Sequence, residues 1–261
     1  MAAVIGEGRA TLSDWHETGF MSREYPLVIS EFSEQTVLIE DHIRGELHQA
    51  APVRILEAGC GRKWPLDLKG IEHTLTGLDI DKAALDIRKN VTRDLDHTIH
   101  GDLRYADLGA GQFDLIYSSY VLEHIKEAEA VLQNCSKWLR KGGLLILLIP
   151  DADSVRGFIT RITPHWFHVL YYRYVLRLPN AGKPGYGPYV TYYAPVVSRR
   201  GIREFCEKHH FKISEERGSR SYLGQGVVAV LSRALTRVIA WLSLGRLKDN
   251  HADLMYILKK E

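Results

Sequence analysis

Apolar and polar positions follow two different patterns along the first 151 residues. Short runs of consecutive apolar residues, such as VRILEA at 53–58, alternate with segments in which apolar residues recur every three or four positions. The runs are typical of strands buried on both faces and the spaced positions of amphipathic helices, so their alternation predicts βα units and a parallel sheet. The predicted strands are 53–58, 74–80, 97–102, 113–119 and 143–150, and the predicted helices are 36–47, 81–91 and 129–139.

The pattern changes after Pro150. Residues 163–178 combine aromatic and basic side chains with helical spacing, and a loop rich in glycine and proline follows them. The elements predicted beyond this loop are a helix over 198–211 capped by Ser198, a strand over 212–218, an apolar helix over 227–244 and a last strand over 252–260.

The composition narrows the class of protein. With 261 residues, 45% of them apolar, the chain is long enough to bury a large core, and we expect one elaborated domain. Its three cysteines, Cys60, Cys135 and Cys206, have neither the spacing of a metal site nor that of a disulfide framework, so no metal is expected. The first twenty residues lack the basic start and apolar run of a secretory signal, which predicts a cytoplasmic protein.

The formal net charge of +2 conceals an asymmetry. Residues 1–151 hold 16 Lys/Arg and 24 Asp/Glu, a net −8, whereas residues 152–261 hold 18 and 8, a net +10. A basic second part suggests an anionic partner such as lipid headgroups, phosphorylated glycans or nucleic acid. A solvated basic surface is the alternative explanation.

Two glycines follow the first strong strand. A strand-to-helix turn that contains Gly59 and Gly61 lets backbone N–H groups approach a ligand, and a following helix would add its partial positive charge. The dinucleotide fingerprint needs a third small residue three places after the second glycine. Trp64 stands at that position, immediately before Pro65, which tells against a dinucleotide.

The E-x-G-x-G run formed by Glu57, Gly59 and Gly61 resembles motif I of the class I S-adenosylmethionine-dependent methyltransferases. Asp79, at the end of the second strand, matches the acidic residue that binds the ribose hydroxyls in that family. Asp102 matches the acidic residue near the adenine amino group. The resemblance therefore implies S-adenosylmethionine as the cofactor, with its amino-acid end against the glycine loop.

Two later segments extend the resemblance. FDLIYSSYVLEHI and LRKGGLLILLIPD are similar to the family's fourth and fifth strand motifs, and the first adds Ser118 and Ser119 to the implied cofactor site. The sequence RKWP departs from the small residue usual after motif I, so we expect the first helix to start late. Arg62 or Lys63 is then a candidate to face the methionine carboxylate, and exposure to solvent is the alternative.

The resemblance implies a doubly wound, Rossmann-like α/β fold with a seven-stranded sheet whose last strand is antiparallel. We expect helical inserts after strands five and six. The expected organisation is an N-terminal cap and helix at 1–50, a cofactor-binding core at 51–151, an acceptor-side insert at 152–196, and a completion of the sheet at 197–261 that includes an amphipathic helix at 227–244.

Methyl transfer to oxygen on a small-molecule, lipid-linked or glycan acceptor is the expected reaction. A hydroxyl nucleophile must lose its proton, and histidine is the natural base near neutral pH. His124, just beyond the fourth strand, is the first candidate, and bracing of the neighbouring helix is its alternative role. His165 in the aromatic insert is the second candidate, with packing as the alternative.

The two apolar segments after residue 151 raise the question of a membrane. Arg233 and Arg237 disfavour a spanning helix over 227–244, but a helix that lies in the membrane interface is physically reasonable. A substrate lid or a dimer contact is the alternative for both segments. Two other functions remain open: an RNA methyltransferase, although nucleic acid is disfavoured because no RNA-binding module is recognisable, and a non-catalytic protein that binds a membrane or a partner.

Overall fold

The computed structural model describes residues 27–47, 52–183, 185–219 and 226–261. The first 26 residues of the predicted N-terminal cap lie outside this range. The strands are β1 (Val28–Ser30), β2 (Val53–Ala58), β3 (His73–Asp79), β4 (His97–His100), β5 (Phe113–Ser119), β6 (Leu139–Pro150), β7 (Phe211–Ser219) and β8 (Asp253–Lys260). The helices are α1 (Phe32–Leu47), α2 (Lys82–Ile87), α3 (Ala128–Trp138), α4 (Val155–Ile162), α5 (His165–Leu170), α6 (Arg199–Lys208) and α7 (Gly226–Leu242).

All eight strands form one sheet in the order β1-β7-β8-β6-β5-β2-β3-β4. β8 runs antiparallel to both of its neighbours, β6 and β7, which confirms the predicted antiparallel last strand. The described sheet has one strand more than the seven expected, because the three-residue β1 pairs in parallel with β7. A segment of three residues is too short to show the alternation of apolar and polar positions that predicts a strand. By pairing with β7, it satisfies N–H and C=O groups at the edge of that strand that would otherwise face solvent.

Helices cover both faces of the sheet. In β6, Leu145 and Leu147 point into the core that contains α3 and α6, whereas Leu144 and Ile146 point into the core that contains α1 and α2. All four are completely buried, as expected for a central strand whose side chains alternate between two covered faces. The architecture is the predicted doubly wound α/β fold.

The segment between β2 and β3 differs from the expectation. Residues 59–72 contain no helix, so the predicted late-starting helix, and the dipole it would have supplied, are absent there. Gly59 and Gly61 both have positive φ, at 76° and 53°, which the α-helix does not use. Trp64 packs its ring edge-on against Tyr117, with centroids 5.5 Å apart, so this loop is held by packing instead.

The helix after β3 begins as predicted but is shorter. The Asp81 carboxylate accepts hydrogen bonds from the N–H groups of Ala83 and Ala84 and thereby caps α2. After Ile87 the chain widens into a π-turn, Arg88–Thr92. That turn carries the Arg88 side chain, which is completely buried beneath the glycine loop.

The insert after β6 contains two helices. α4, capped by the Ser154 hydroxyl, was missed, because its eight residues are interrupted by Gly157 and contain two arginines. The aromatic helix α5 was predicted, and it continues as a π-turn, Tyr171–Val175, before the glycine- and proline-rich loop. The predicted cap of the following helix is also confirmed, since the Ser198 hydroxyl accepts a hydrogen bond from the Gly201 N–H.

Candidate cofactor and acceptor site

The site lies where the carboxyl ends of β2, β3 and β5 meet. Ligands of doubly wound sheets bind beyond the carboxyl ends of the strands, at the place where the chain order reverses. Here β2 lies between β3 and β5, so the order reverses around β2. The fold thus brings Gly59, Asp79 and Ser119 to one edge of the sheet.

The glycine loop is shaped by close contacts. A Cβ on Gly59 would lie 2.4 Å from a Val121 methyl carbon, so only glycine fits there. A Cβ on Gly61 would meet no atom within 4 Å, which leaves open space for a ligand beside it. The N–H groups of Gly59 and Cys60 both donate to the Leu78 carbonyl oxygen. These two N–H groups are therefore already engaged within the protein, and the open space of the loop lies beside Gly61.

Asp79 links the glycine loop to the following turn. Its Oδ2 accepts a hydrogen bond of 2.8 Å from the Gly61 N–H, and its Oδ1 accepts one of 2.8 Å from the Asp81 N–H. Each carboxylate oxygen retains a second lone pair, so the group can still accept from two ribose hydroxyls. Two backbone bonds hold Asp79 in place before any ligand arrives.

Glu57 is buried in an ion pair. Its Oε2 lies 2.9 Å from Nη2 of Arg88, and Arg88 also donates to the Cys60 carbonyl oxygen and to Asp94. Burial raises the pKa of Glu57 to about 8, against the opposing effect of Arg88. The pair ties the end of β2 to the π-turn after α2. A direct contact of Glu57 with the cofactor stays a prediction.

Asp102 follows β4, and its carboxylate is engaged by Arg104. Both carboxylate oxygens accept from the Arg104 guanidinium, and these hydrogen bonds lower the pKa of Asp102. Arg104 also pairs with Glu127 at 2.7 Å. An adenine amino group would therefore share Asp102 with Arg104, and the predicted contact stays a prediction.

Ser118 and Ser119 end β5. The Ser118 hydroxyl is buried and has no hydrogen-bond partner, which is costly unless a ligand or water satisfies it. The site thus offers three features that fit the nucleoside and amino-acid parts of S-adenosylmethionine. They are the unpaired Ser118 hydroxyl, the open space beside Gly61 and the free lone pairs of Asp79.

His124 lies in a short 3₁₀ turn just after β5. Its Nδ1 is 2.8 Å from the Val190 carbonyl oxygen, which can only accept, so Nδ1 carries the proton and Nε2 the lone pair. Burial lowers the pKa of His124. The neighbouring Glu123 carboxyl is buried, has its pKa raised to about 8 by burial, and places Oε1 3.6 Å from Nε2.

A strap from the insert, residues 185–192, crosses this edge of the sheet. Arg62 lies over the Tyr186 ring, 4.8 Å from its centroid, and pairs with Asp81 at 3.7 Å. At the other end, the Tyr189 ring meets His124 edge-on, with centroids 5.5 Å apart. Arg62 therefore contacts the strap, a role that the sequence analysis missed because nothing in RKWP indicates the distant partner.

A group of polar side chains where β5 and β8 meet the insert was also missed. Tyr120 has a φ of 55°, unusual for a residue with a side chain, and its hydroxyl hydrogen-bonds with Asp253. Burial raises the pKa of Asp253 and that of Tyr193. Only one signal existed in the sequence, an aromatic residue directly after the Ser118–Ser119 pair.

Two further residues are a histidine of the insert and a cysteine of the glycine loop. His165 is the first residue of α5 and is half-buried, and its part in catalysis stays a prediction. Cys60 is buried among apolar side chains, and burial raises the pKa of its thiol to about 12. A thiol with so high a pKa is a packing group at neutral pH.

The comparisons with known proteins point to one family. A family model described as "Methyltransferase domain" matches residues 56–147. A malonyl-acyl-carrier protein O-methyltransferase of Enterobacter lignolyticus is 30% identical over 107 residues, 39% of this chain and 41% of that protein. A ubiquinone biosynthesis O-methyltransferase of Psychrobacter arcticus is 24% identical over 192 residues, 68% of this chain and 71% of that protein.

Solved structures agree on the fold. The N-methyltransferase NodS of Bradyrhizobium japonicum, solved with S-adenosyl-l-homocysteine, superposes with a TM-score of 0.50 at 15% identity, over 87% of this chain and 86% of that one. The chain spans about two fifths of the length of the first curated relatives that it matches.

Proposed function

Because this chain carries a class I S-adenosylmethionine-dependent methyltransferase domain, with S-adenosylmethionine as its cofactor, we propose that it methylates an oxygen atom of a small-molecule, lipid-linked or glycan acceptor. The observation that carries the proposal is the Asp79 carboxylate, which backbone hydrogen bonds hold in place beside the open space at Gly61. The O-methyltransferase relatives named above support oxygen as the methylated atom.

Bound S-adenosylmethionine supplies a methyl group on a positively charged sulfur, which makes that methyl electrophilic. The protein's tasks are to align the acceptor oxygen with it and to exclude water, and such alignment contributes roughly 7–11 kcal/mol. Asp79 and Gly61 would hold the ribose, and the strap with Tyr186 and Tyr189 would shield the site from solvent.

His124 would serve as the base. Its Nε2 has the lone pair, and its lowered pKa keeps the ring neutral near pH 7. It can therefore take the proton of an acceptor hydroxyl during methyl transfer, in which the C–O bond forms as the methyl–sulfur bond breaks and the sulfur leaves as a neutral thioether. A base with this position and tautomer is more useful to a hydroxyl acceptor than to an amine, which is one more argument for oxygen.

Calorimetric titration of the protein with S-adenosylmethionine tests the proposal. We expect binding, weakened about 10- to 100-fold in Asp79→Asn, since a hydrogen bond to a charged group contributes roughly 1.5–3 kcal/mol. The control is Asp107→Asn, whose exposed carboxylate pairs with Lys137, and its affinity should match that of the unchanged protein. Absence of binding by the intact protein, or equal affinity in Asp79→Asn, contradicts the proposal.

An acceptor screen then tests the choice of oxygen. The products of incubation with quinols, catechols, acyl thioesters, glycans and RNA would be separated and the methylated atom identified by mass spectrometry. Methylation of hydroxyl or carboxyl oxygen is the expected result. Methylation confined to RNA, with binding that falls steeply as salt rises, would contradict it and favour the nucleic-acid alternative.

A further inference from the structure

Helix α7 packs with its hydroxyl-bearing side toward the protein. Ser232, Thr236 and Ser243 are half-buried, and α7 lies against α4. The Thr236 hydroxyl donates to the Ser232 carbonyl oxygen, and the Ser243 hydroxyl donates to the Ala240 carbonyl oxygen. Because the helix itself satisfies these hydroxyls, its polar side can pack against α4 without other partners.

The opposite side of α7 is apolar and faces outward. Trp241 is 76% exposed and Leu244, just beyond the helix, is 89% exposed. This outward apolar face consists of Val230, Leu235, Val238, Trp241, Leu242 and Leu244. In most helices of globular proteins the apolar side faces the core, so an apolar side turned outward indicates a surface that is covered by another phase or partner.

The two segments that contain α7 and the helix packed against it carry side-chain charges of one sign. Two segments of the chain, 154–203 and 217–248, contain no Asp or Glu, and they hold eight and six Lys/Arg respectively. Arg233 and Arg237 on α7 are exposed beside the face. The first segment also exposes Trp166 in α5 and Tyr174 in the π-turn after it. The basic character of these two segments complements an anionic surface.

A second copy of the chain fits less well. A two-fold contact through the outward apolar face would bring Arg233 and Arg237 of each copy near the same basic residues of the other, with no acid of segment 217–248 to pair with them. Exposed tryptophan and tyrosine beside arginine are instead the mixture favoured at the boundary between lipid and water.

We propose that the outward apolar face of α7 docks on the surface of an anionic lipid bilayer, with the helix lying flat in the interface. No helix among the described residues is long and apolar enough to cross a membrane, so the contact is peripheral. α4 joins the docked helix to the acceptor side, because the Thr160 side chain hydrogen-bonds with Tyr193. The proposal rests on this surface and holds whether or not the methyl-transfer proposal does.

Flotation with vesicles tests the proposal on the full chain. The vesicles are phosphatidylcholine alone and phosphatidylcholine mixed with phosphatidylglycerol, and we expect the protein to float with the mixed ones. The double variant Trp241→Ser/Leu244→Ser should lose most of this binding. Arg233→Gln/Arg237→Gln should weaken it about 30-fold, from the known attraction of two basic residues to an anionic surface.

Matched controls distinguish a loss of docking from misfolding and from nonspecific binding to vesicles. Val91→Ser removes an equally exposed apolar side chain on the π-turn after α2, and Lys141→Gln removes an exposed charge elsewhere. Both should float like the unchanged protein, and circular dichroism should show that all variants are folded. No flotation with mixed vesicles, or flotation that the α7 variants leave unchanged, overturns the proposal. A lipid-free dimer that Trp241→Ser dissociates would assign the face to a second copy and also overturn it.

Discussion

Two regions of the molecule differ in what they bury and what they expose. One is the cofactor edge, where the carboxyl ends of β2, β3 and β5 meet, and the other is the pair of acid-free segments, 154–203 and 217–248, which contain no Asp or Glu. At the cofactor edge, charged groups are buried: Arg88 is completely enclosed, and Glu57 beside it is nearly so. In the acid-free segments, large apolar groups such as Trp166 and Trp241 are exposed instead. Each arrangement is unfavourable for the isolated chain unless something else compensates for it.

The compensation differs between the two regions. The buried charges are satisfied inside the chain, because Arg88 donates to Glu57, to Asp94 and to the Cys60 carbonyl oxygen. The exposed apolar side chains that the structure describes on the outward face of α7 have no such internal partner. The cofactor edge is therefore built by intramolecular contacts, whereas the outward face is completed by a contact outside the chain.

The junction of the two regions gives the largest expected effect. His124 follows β5 in the cofactor-binding part of the sheet, and its Nδ1 donates to the Val190 carbonyl oxygen of the strap. His124→Asn keeps a donor near the Nδ1 position and removes Nε2. Methyl transfer should fall about 10²- to 10⁴-fold, the usual contribution of a general base, while cofactor affinity changes little. The measurement is the rate of S-adenosylhomocysteine formation with the identified acceptor.

The pH profile sharpens the same prediction. The pKa of His124 is lowered below 6.5 by burial, so the base is neutral near pH 7 and the rate should fall only as the pH drops through that lowered pKa. His124→Asn should lose this acid limb. His97→Gln, a change at an exposed position on β4, is the control and should keep both rate and profile. Full activity in His124→Asn would exclude His124 as the base and leave it only a structural role, its hydrogen bond to the strap.

The buried charges of the cofactor edge give the next effect. Arg88→Met leaves Glu57 and Asp94 without their partner, and removal of one member of a buried pair costs about 3–5 kcal/mol. The free energy of unfolding in urea should fall by that amount. Lys82→Met breaks the exposed pair with Asp86 and should cost less than about 1 kcal/mol. Equal, small losses in both variants would show that the Arg88 cluster contributes no more than a surface pair.

Two arginines of segment 154–203 pair with the carboxylate of Glu216 in β7, and this cluster gives a smaller effect. Glu216, directly before the second acid-free segment, accepts from Arg199 and Arg203, and these arginines lower its pKa to about 2. Its stabilisation is present above the ordinary pKa of about 4.5 and is lost as the pH falls toward about 2, up to about 3 kcal/mol in all.

Glu216→Gln isolates that contribution. The unfolding free energy of the variant should be lower near pH 6, and its decrease between about pH 5 and pH 2 should be smaller by up to about 3 kcal/mol. Glu204→Gln, in the exposed pair with Arg200, should leave the acid profile unchanged. Parallel acid profiles for the Glu216 variant and the unchanged protein would exclude this contribution.

The two regions also differ in how far the sequence predicts them. Strands β2, β5 and β6 contain short runs of consecutive apolar residues. Asp81 and Ser198 stand at helix caps that a single carboxylate or hydroxyl determines, so local chemistry was sufficient at these places. A helix was expected after β2, and the structure has a loop there instead. This loop was not predictable from local patterns, because Trp64 packs on Tyr117, 53 positions away in the chain. Local patterns carry no information about such contacts.

The orientation of α7 shows the same limit. Its period identifies a helix with an apolar and a polar side, but which side faces the protein depends on α4, a helix that the pattern did not reveal. The strap is a further case, since Arg62 and Tyr186 meet only after the whole insert has folded back over the glycine loop. Long-range packing, rather than local propensity, determines the acceptor side.

The smallest expected effect tests whether the strap couples the two regions. Gly185 has a φ of 74°, and a Cβ there would lie within 2.3 Å of Arg62 Nη2 and 3.1 Å of an Asp81 oxygen. Gly185→Ala therefore strains the closed strap by roughly 1–2 kcal/mol, the cost of a left-handed backbone for a residue with a side chain. If closure contributes to cofactor binding, the affinity for S-adenosylmethionine should fall about 10-fold.

Gly70→Ala is the matched control. Gly70 also has a positive φ, of 84°, but a Cβ there meets no atom within 4 Å, and the residue lies in the loop before β3, outside the strap. Both variants should lose unfolding free energy from backbone strain, and Gly185→Ala should lose more because its Cβ also meets Arg62. Only Gly185→Ala should bind the cofactor more weakly in calorimetry. Equal affinities would mean that the strap lies over the site without contributing to binding, and that the acceptor side acts independently of the cofactor edge.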